Sequence, residues 1–148
     1  MGERIILTNN IERKQNYILL IDDDSDILNL FCDCLQAVGY NIVVLDNPRE
    51  ALNYLTKDEN IITSCSLVIT DYRMPQMSGI DFIEKIREKD TYCKVKIILT
   101  SAFIKSDLIL NSTKINSLSI DKIIEKPICI ETLKNEVQKL MSHIPLSK

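Results

Sequence analysis

Five short aliphatic runs, at residues 17–21, 41–45, 67–70, 95–100 and 120–124, alternate with longer stretches that repeat apolar residues at helical spacing. Each run is rich in Ile, Val or Leu and too short for a helix, which is how strands buried on both faces read. A strand, a helix and a parallel strand in repeated succession build a parallel sheet covered on both sides. The alternation therefore specifies an α/β chain of five rounds.

The intervening stretches carry their own start and stop signals. Ile27, Phe31, Cys34, Leu35 and Val38 form one stripe, and Gly39 stands where a left-handed helix terminator belongs. Asn47, Pro48 and Glu50 supply a cap, a first-turn proline and an acid for a second helix. Ser78 and Asp81 form a similar capping pair ahead of a helix with Ile80, Ile83 and Ile86 on its inner side. Ile130, Leu133, Val137, Leu140 and Met141 mark the last helix. Residues 102–119 are less regular, because Leu108, Ile109, Leu110, Ile115 and Leu118 are mixed with Ser, Asn and Thr of low helix propensity.

Composition narrows the classes of function. A chain of 148 residues suits one domain, and 45% apolar with 26% charged residues suits a folded one. We expect residues 17–143 to form it, with a mobile polar extension over 1–16 and a short tail over 144–148. A net charge of −3 with dispersed lysines gives no electrostatic footprint for nucleic acid. No apolar stretch approaches the roughly 20 residues that span a bilayer, and no secretory signal opens the chain, so a cytoplasmic protein without membrane attachment is expected. The five cysteines (Cys32, Cys34, Cys65, Cys93, Cys129) and the single His143 lack the spacing of a zinc site. Any metal here should be hard and oxygen-bound.

In open parallel sheets ligands bind beyond the carboxyl ends of the strands. Just past the first run stand Asp22, Asp23 and Asp24; past the third, Asp71; past the fourth, Thr100 and Ser101; past the fifth, Lys126 and Pro127. Two carboxylates about 4 Å apart repel by roughly 4 kcal/mol at an effective dielectric of 20. A divalent cation relieves that, and Mg2+ takes one or two carboxylates together with phosphate oxygens. An aspartate beside the metal can act as a nucleophile toward phosphorus, and a lysine can neutralise the phosphoryl oxygens.

The stretches ILLIDDDSDI, VITDYRMPQMSGIDFIEKIR, KIILTSA and IIEKPICIETL, in that order over residues 17 to about 141, resemble the receiver domain of two-component response regulators. The segment DYRMPQMSG carries most of the likeness, since it joins a strand-end aspartate to a turn proline and a helix-opening Ser-Gly. The resemblance implies a (βα)5 doubly wound parallel sheet of flavodoxin-like type, strand order 2-1-3-4-5. It implies that Asp71 accepts a phosphoryl group from a phosphohistidine on a sensor histidine kinase or histidine phosphotransfer protein. It assigns Mg2+ to Asp22, Asp23, Asp71 and the backbone carbonyl of Arg73, the switch hydroxyl to Ser101, and the phosphate-facing amine to Lys126, whose bond to Pro127 is expected to be cis.

Two departures accompany the likeness. Receivers place an aromatic residue three positions before that lysine, where this chain has Ile123, and the segment 101–126 is longer than usual and lacks an Ala-Gly turn before the fifth strand. Both fall on the fourth-to-fifth helix face, which family members use for dimerisation or partner binding. The leading expectation is a single-domain phosphoacceptor, because only about 20 residues follow Lys126, with self-catalysed phosphotransfer and autodephosphorylation as its only chemistry. Its output would be a contact with an unidentified protein. One alternative is a degenerate receiver acting as an unphosphorylated scaffold. The other is an Mg-dependent phosphatase with an aspartate nucleophile, read from a DxDxT-like Asp22, Asp24 and Asp26 whose last position is an acid.

Overall fold

The computed structural model describes residues 16–89 and 95–142. The expected extension (apart from Asn16), the expected tail, Cys93 and His143 lie outside those residues. The elements run β1 (Tyr17–Ile21), α1 (Ser25–Val38), β2 (Ile42–Leu45), α2 (Pro48–Thr56), α3 (Glu59–Thr63), β3 (Cys65–Asp71), α4 (Gly79–Arg87), β4 (Lys96–Ser101), α5 (Ile104–Ser117), β5 (Lys122–Glu125) and α6 (Ile130–Met141). All four strand pairings are parallel and the order is β2-β1-β3-β4-β5. That is the topology expected above.

Neighbouring residues of a strand face opposite sides of the sheet, and here both sides are dry. Leu19, Ile21, Val43, Val68, Ile97 and Leu99 pack on the side of α2, α3 and α4. Ile18, Leu20, Ile42, Ile69, Ile98 and Ile124 pack on the side of α1 and α6. The core is therefore two apolar layers with the sheet between them.

The capping signals operate as written. Asp24 accepts from the amides of Asp26 and Ile27 at the start of α1, and Gly39 ends that helix at φ 108°. Asn47 accepts from Arg49 and Glu50 ahead of α2, and Ser78 accepts from Asp81 ahead of α4. Asp24, the third acid of the triplet, is thus a helix cap.

Two features of the fold differ from the five-round reading. The second crossover holds an additional helix, α3, capped by Asp58. The fourth crossover helix is consequently α5, and the helix that follows the last strand is α6. The fifth strand starts at Lys122 rather than at residue 120, because Ser119 turns the chain at φ 55° and Asp121 accepts from the Ile97 amide at 2.8 Å. Arg87 clamps this turn, donating to the carbonyls of Leu118, Val95 and Ser119. A left-handed conformation costs a residue with a Cβ about 1 kcal/mol, so Ser119 bears the strain that the missing glycine would avoid. Ser119→Gly is expected to stabilise the protein by up to about 1 kcal/mol in urea unfolding, less the entropy glycine adds to the unfolded chain.

Candidate functional site

The rim beyond the strands gathers the expected residues. Asp22 follows β1, Asp71 ends β3, Ser101 ends β4, and Lys126 follows β5. A ligand oxygen from each of Asp22, Asp23 and Asp71 lies within 4.8 Å of the others. Asp22 and Asp71 are buried while Asp23 faces solvent, so one member remains open to an incoming group. The Lys126 Nζ sits between the two buried acids, 2.8 Å from Asp22 Oδ2 and 3.2 Å from Asp71 Oδ1. The Asp22 Oδ1 accepts from the Asp24 amide at 2.9 Å. The Lys126–Pro127 bond is cis.

Electrostatically the acids outnumber the amine. Burial, then the charge of Asp22, pushes the Asp71 carboxyl up to about 6, against the opposing pull of Lys126. Burial likewise raises Asp22, although Lys126 and the Asp24 amide resist it. For Lys126, burial disfavours the charged form, but the hydrogen bond and charge of Asp22, followed by Asp71, outweigh it and raise the amine above its usual range. The amine is shared by both buried acids and the carboxylates remain under-compensated. That imbalance, with oxygen-only donors, fits a hard divalent cation.

Three backbone contacts hold the surroundings of Asp71. The Tyr72 amide donates to Thr100 O at 2.8 Å, the Lys126 amide to Ser101 O at 2.8 Å, and the Gly79 amide to Tyr72 O at 2.7 Å. Behind Asp22 and Asp71, Leu20, Leu28, Phe31, Ile69 and Thr100 enclose a cavity of about 10 Å³, close to the minimum for a single water.

The residues expected to act as a switch are arranged less simply. Thr100 directs its hydroxyl to Thr70 O on the opposite side of the strand from Ser101. Ser101 donates its hydroxyl hydrogen to Asp107 Oδ2 in the first turn of α5, and it accepts from the Phe103 amide at 3.0 Å. Arg73 reaches the other oxygen of Asp107 through Nε and Nη2 at 3.2 and 3.0 Å, and its guanidinium lies 4.4 Å from the centre of the Phe103 ring. Ile123 is half-buried against the α2–α4 layer. Asp107 and Phe103 were not singled out in the sequence.

The family profile described as the response regulator receiver domain matches residues 18–138. The chain belongs to the receiver domain family of two-component response regulators. Among known receivers, the response regulator receiver protein CpdR of Brucella abortus is 29% identical over 84% of this chain and 95% of its own. The rice two-component response regulator ORR7 is 29% identical over 58% of this chain, but the match spans only 39% of ORR7. The crystal structure of the chemotaxis response regulator CheY4 of Vibrio cholerae superposes with a TM-score of 0.72, covering 85% of this chain and 98% of that one, at 23% identity. That likeness establishes the fold. Receivers are signalling proteins that bind Mg2+ through an acidic cluster, and Asp22, Asp23 and Asp71 are grouped as such a cluster here. Among the described residues no helix is long and apolar enough to cross a membrane.

Proposed function

We propose that this receiver is phosphorylated on Asp71, and the observation that carries the reading is the buried Asp71 carboxylate flanked by Asp22, Asp23 and Lys126. The donor is a phosphohistidine on a sensor histidine kinase or histidine phosphotransfer protein. An Asp71 oxygen lone pair forms the new P–O bond while the P–N bond breaks, and the electron pair returns to the imidazole, which takes up a proton. Asp22, Asp23, Asp71 and the Arg73 carbonyl would hold Mg2+, which supplies charge neutralisation for the phosphoryl oxygens. Lys126 pairs with one of those oxygens, and Ser101 donates to another. Attack of water on phosphorus later releases inorganic phosphate and restores the carboxylate. Beyond this self-catalysed cycle the chain has no turnover of its own.

Output is by protein contact in the cytoplasm, on the surface formed by α5, β5 and α6, through another protein or a second copy of this chain. The exposure of Phe103 and Ile109 there supports this. Residues 17–143 suffice for the cycle, with 1–16 and 144–148 as appendages. A nucleic-acid partner is disfavoured by the net charge of −3. An unphosphorylated scaffold or an external phosphatase predicts different chemistry. With Mg2+ and acetyl phosphate, intact mass spectrometry should show one added phosphoryl group of about 80 Da, labile to base. Asp71→Asn should abolish it. No adduct on the wild type with any phosphodonor would favour the scaffold, and steady hydrolysis of an added phosphate ester would favour the phosphatase.

A further inference from the structure

The helix α5 departs from the amphipathic pattern of its neighbours. Among its described residues, the one buried side chain is Asp107, at 2% exposure, whereas Ile109 is 78% exposed. The buried anchor at the start of this helix is thus a carboxylate, with Ile115 packed partly buried against the core toward its other end. Its two oxygens are divided between Ser101 on β4 and Arg73 in the loop after β3. Arg73 also stacks on Phe103, the residue that leads into α5.

A serine hydroxyl has one hydrogen to donate. While Ser101 gives it to Asp107, none is left for a phosphoryl oxygen on Asp71. We propose that Asp107 is a positioning residue that holds Ser101 in the resting state, so that phosphorylation must take the hydroxyl from Asp107 and thereby loosens the seat of α5. The inference rests on the phosphoacceptor reading of Asp71, and adds a specific competitor for its switch hydroxyl. It also supplies a route to α5 that does not use an aromatic residue at position 123. In the resting state Ser101, Phe103, Asp107 and Arg73 are joined in one set of contacts, so losing the Ser101–Asp107 bond frees the start of α5, which carries the exposed Ile109.

The probe is beryllofluoride, which occupies the phosphoryl position without covalent chemistry, titrated with Mg2+ into the full chain. Asp107→Ala frees Ser101, and its affinity should rise about tenfold, the value of one hydrogen bond to a charged group. In a Ser101→Ala background the same substitution should change affinity by less than about twofold. Asp107→Asn keeps the shape and weakens the bond, so it should show a smaller gain and serves where the alanine variant fails to fold. Equal or weaker binding by a folded Asp107 variant, or a gain that persists without Ser101, would overturn the proposal while leaving the phosphoacceptor reading intact. A wild type that binds no beryllofluoride overturns both. In the wild type, amide exchange across residues 104–109 should quicken on binding, and unchanged exchange would show that the seat of α5 does not depend on Ser101.

Discussion

Gly79→Ala is expected to lower stability by at least about 3 kcal/mol in urea unfolding, and to abolish beryllofluoride binding by whatever protein remains folded. A Cβ on this residue would stand 2.2 Å from the Asp71 carbonyl oxygen, with the Asp71 carbonyl carbon and Leu99 Cδ1 each at 3.1 Å. Neither backbone neighbour can retreat easily, because Asp71 pairs with Thr100 in the centre of the sheet. The Gly79 amide is also tied to Tyr72 O, which closes the turn on both sides. Relief requires α4 to move outward, taking the loop through Arg73 and the buried apolar face of α4 with it. The glycine therefore sets the approach of a helix to the carbonyl of Asp71. A loss below about 1 kcal/mol with site binding retained would show that the turn absorbs the methyl group, and would remove this reason for glycine.

The same turn shows why much of this molecule could be read from its sequence. In a parallel sheet with both faces dry, the end of each aliphatic run marks the rim, so chain position brings Asp22, Asp23, Asp24, Asp71, Thr100, Ser101 and Lys126 there, and the resemblance to receivers separates Ser101 from Thr100. The edge strand β5 begins two residues later and ends one residue later than the aliphatic run at 120–124, since Lys122 and Glu125 are exposed and only Ile124 is buried. A strand with one wet edge gives a weaker apolar signal. The helix α3 escaped notice because five residues cannot develop a helical stripe, although Asp58 accepting from the Asn60 amide was available as a cap. Asp107 was illegible for a different reason. An acid in the first turn of a helix looks the same whether it faces water, where the helix dipole favours it, or is buried against another strand. Its partner Arg73 lies 34 residues away, and no local pattern connects them.

Removing the amine at the centre of the site exposes the imbalance among its acids. Lys126→Met is expected to cost about 3 kcal/mol at pH 7.5 without metal, because it keeps the stem's packing while leaving two buried carboxylates without their cation. The pH dependence identifies the cause. The Asp71 carboxyl rises from 3.8 unfolded to about 6 folded, so between those values the folded chain holds a proton that the unfolded chain has released. Stability therefore falls as pH rises through that window, and above it the cost is fully present. With Lys126 gone its lowering influence is lost, the window extends upward, and the deficit relative to wild type should be largest near neutrality and shrink toward pH 5. Millimolar Mg2+ should recover part of the loss by supplying the missing positive charge, and adding Asp71→Asn should recover part of it without metal. Chemical unfolding at pH 5.0, 6.0 and 7.5, with EDTA or Mg2+, separates this from a packing defect, which would give a deficit independent of both pH and metal.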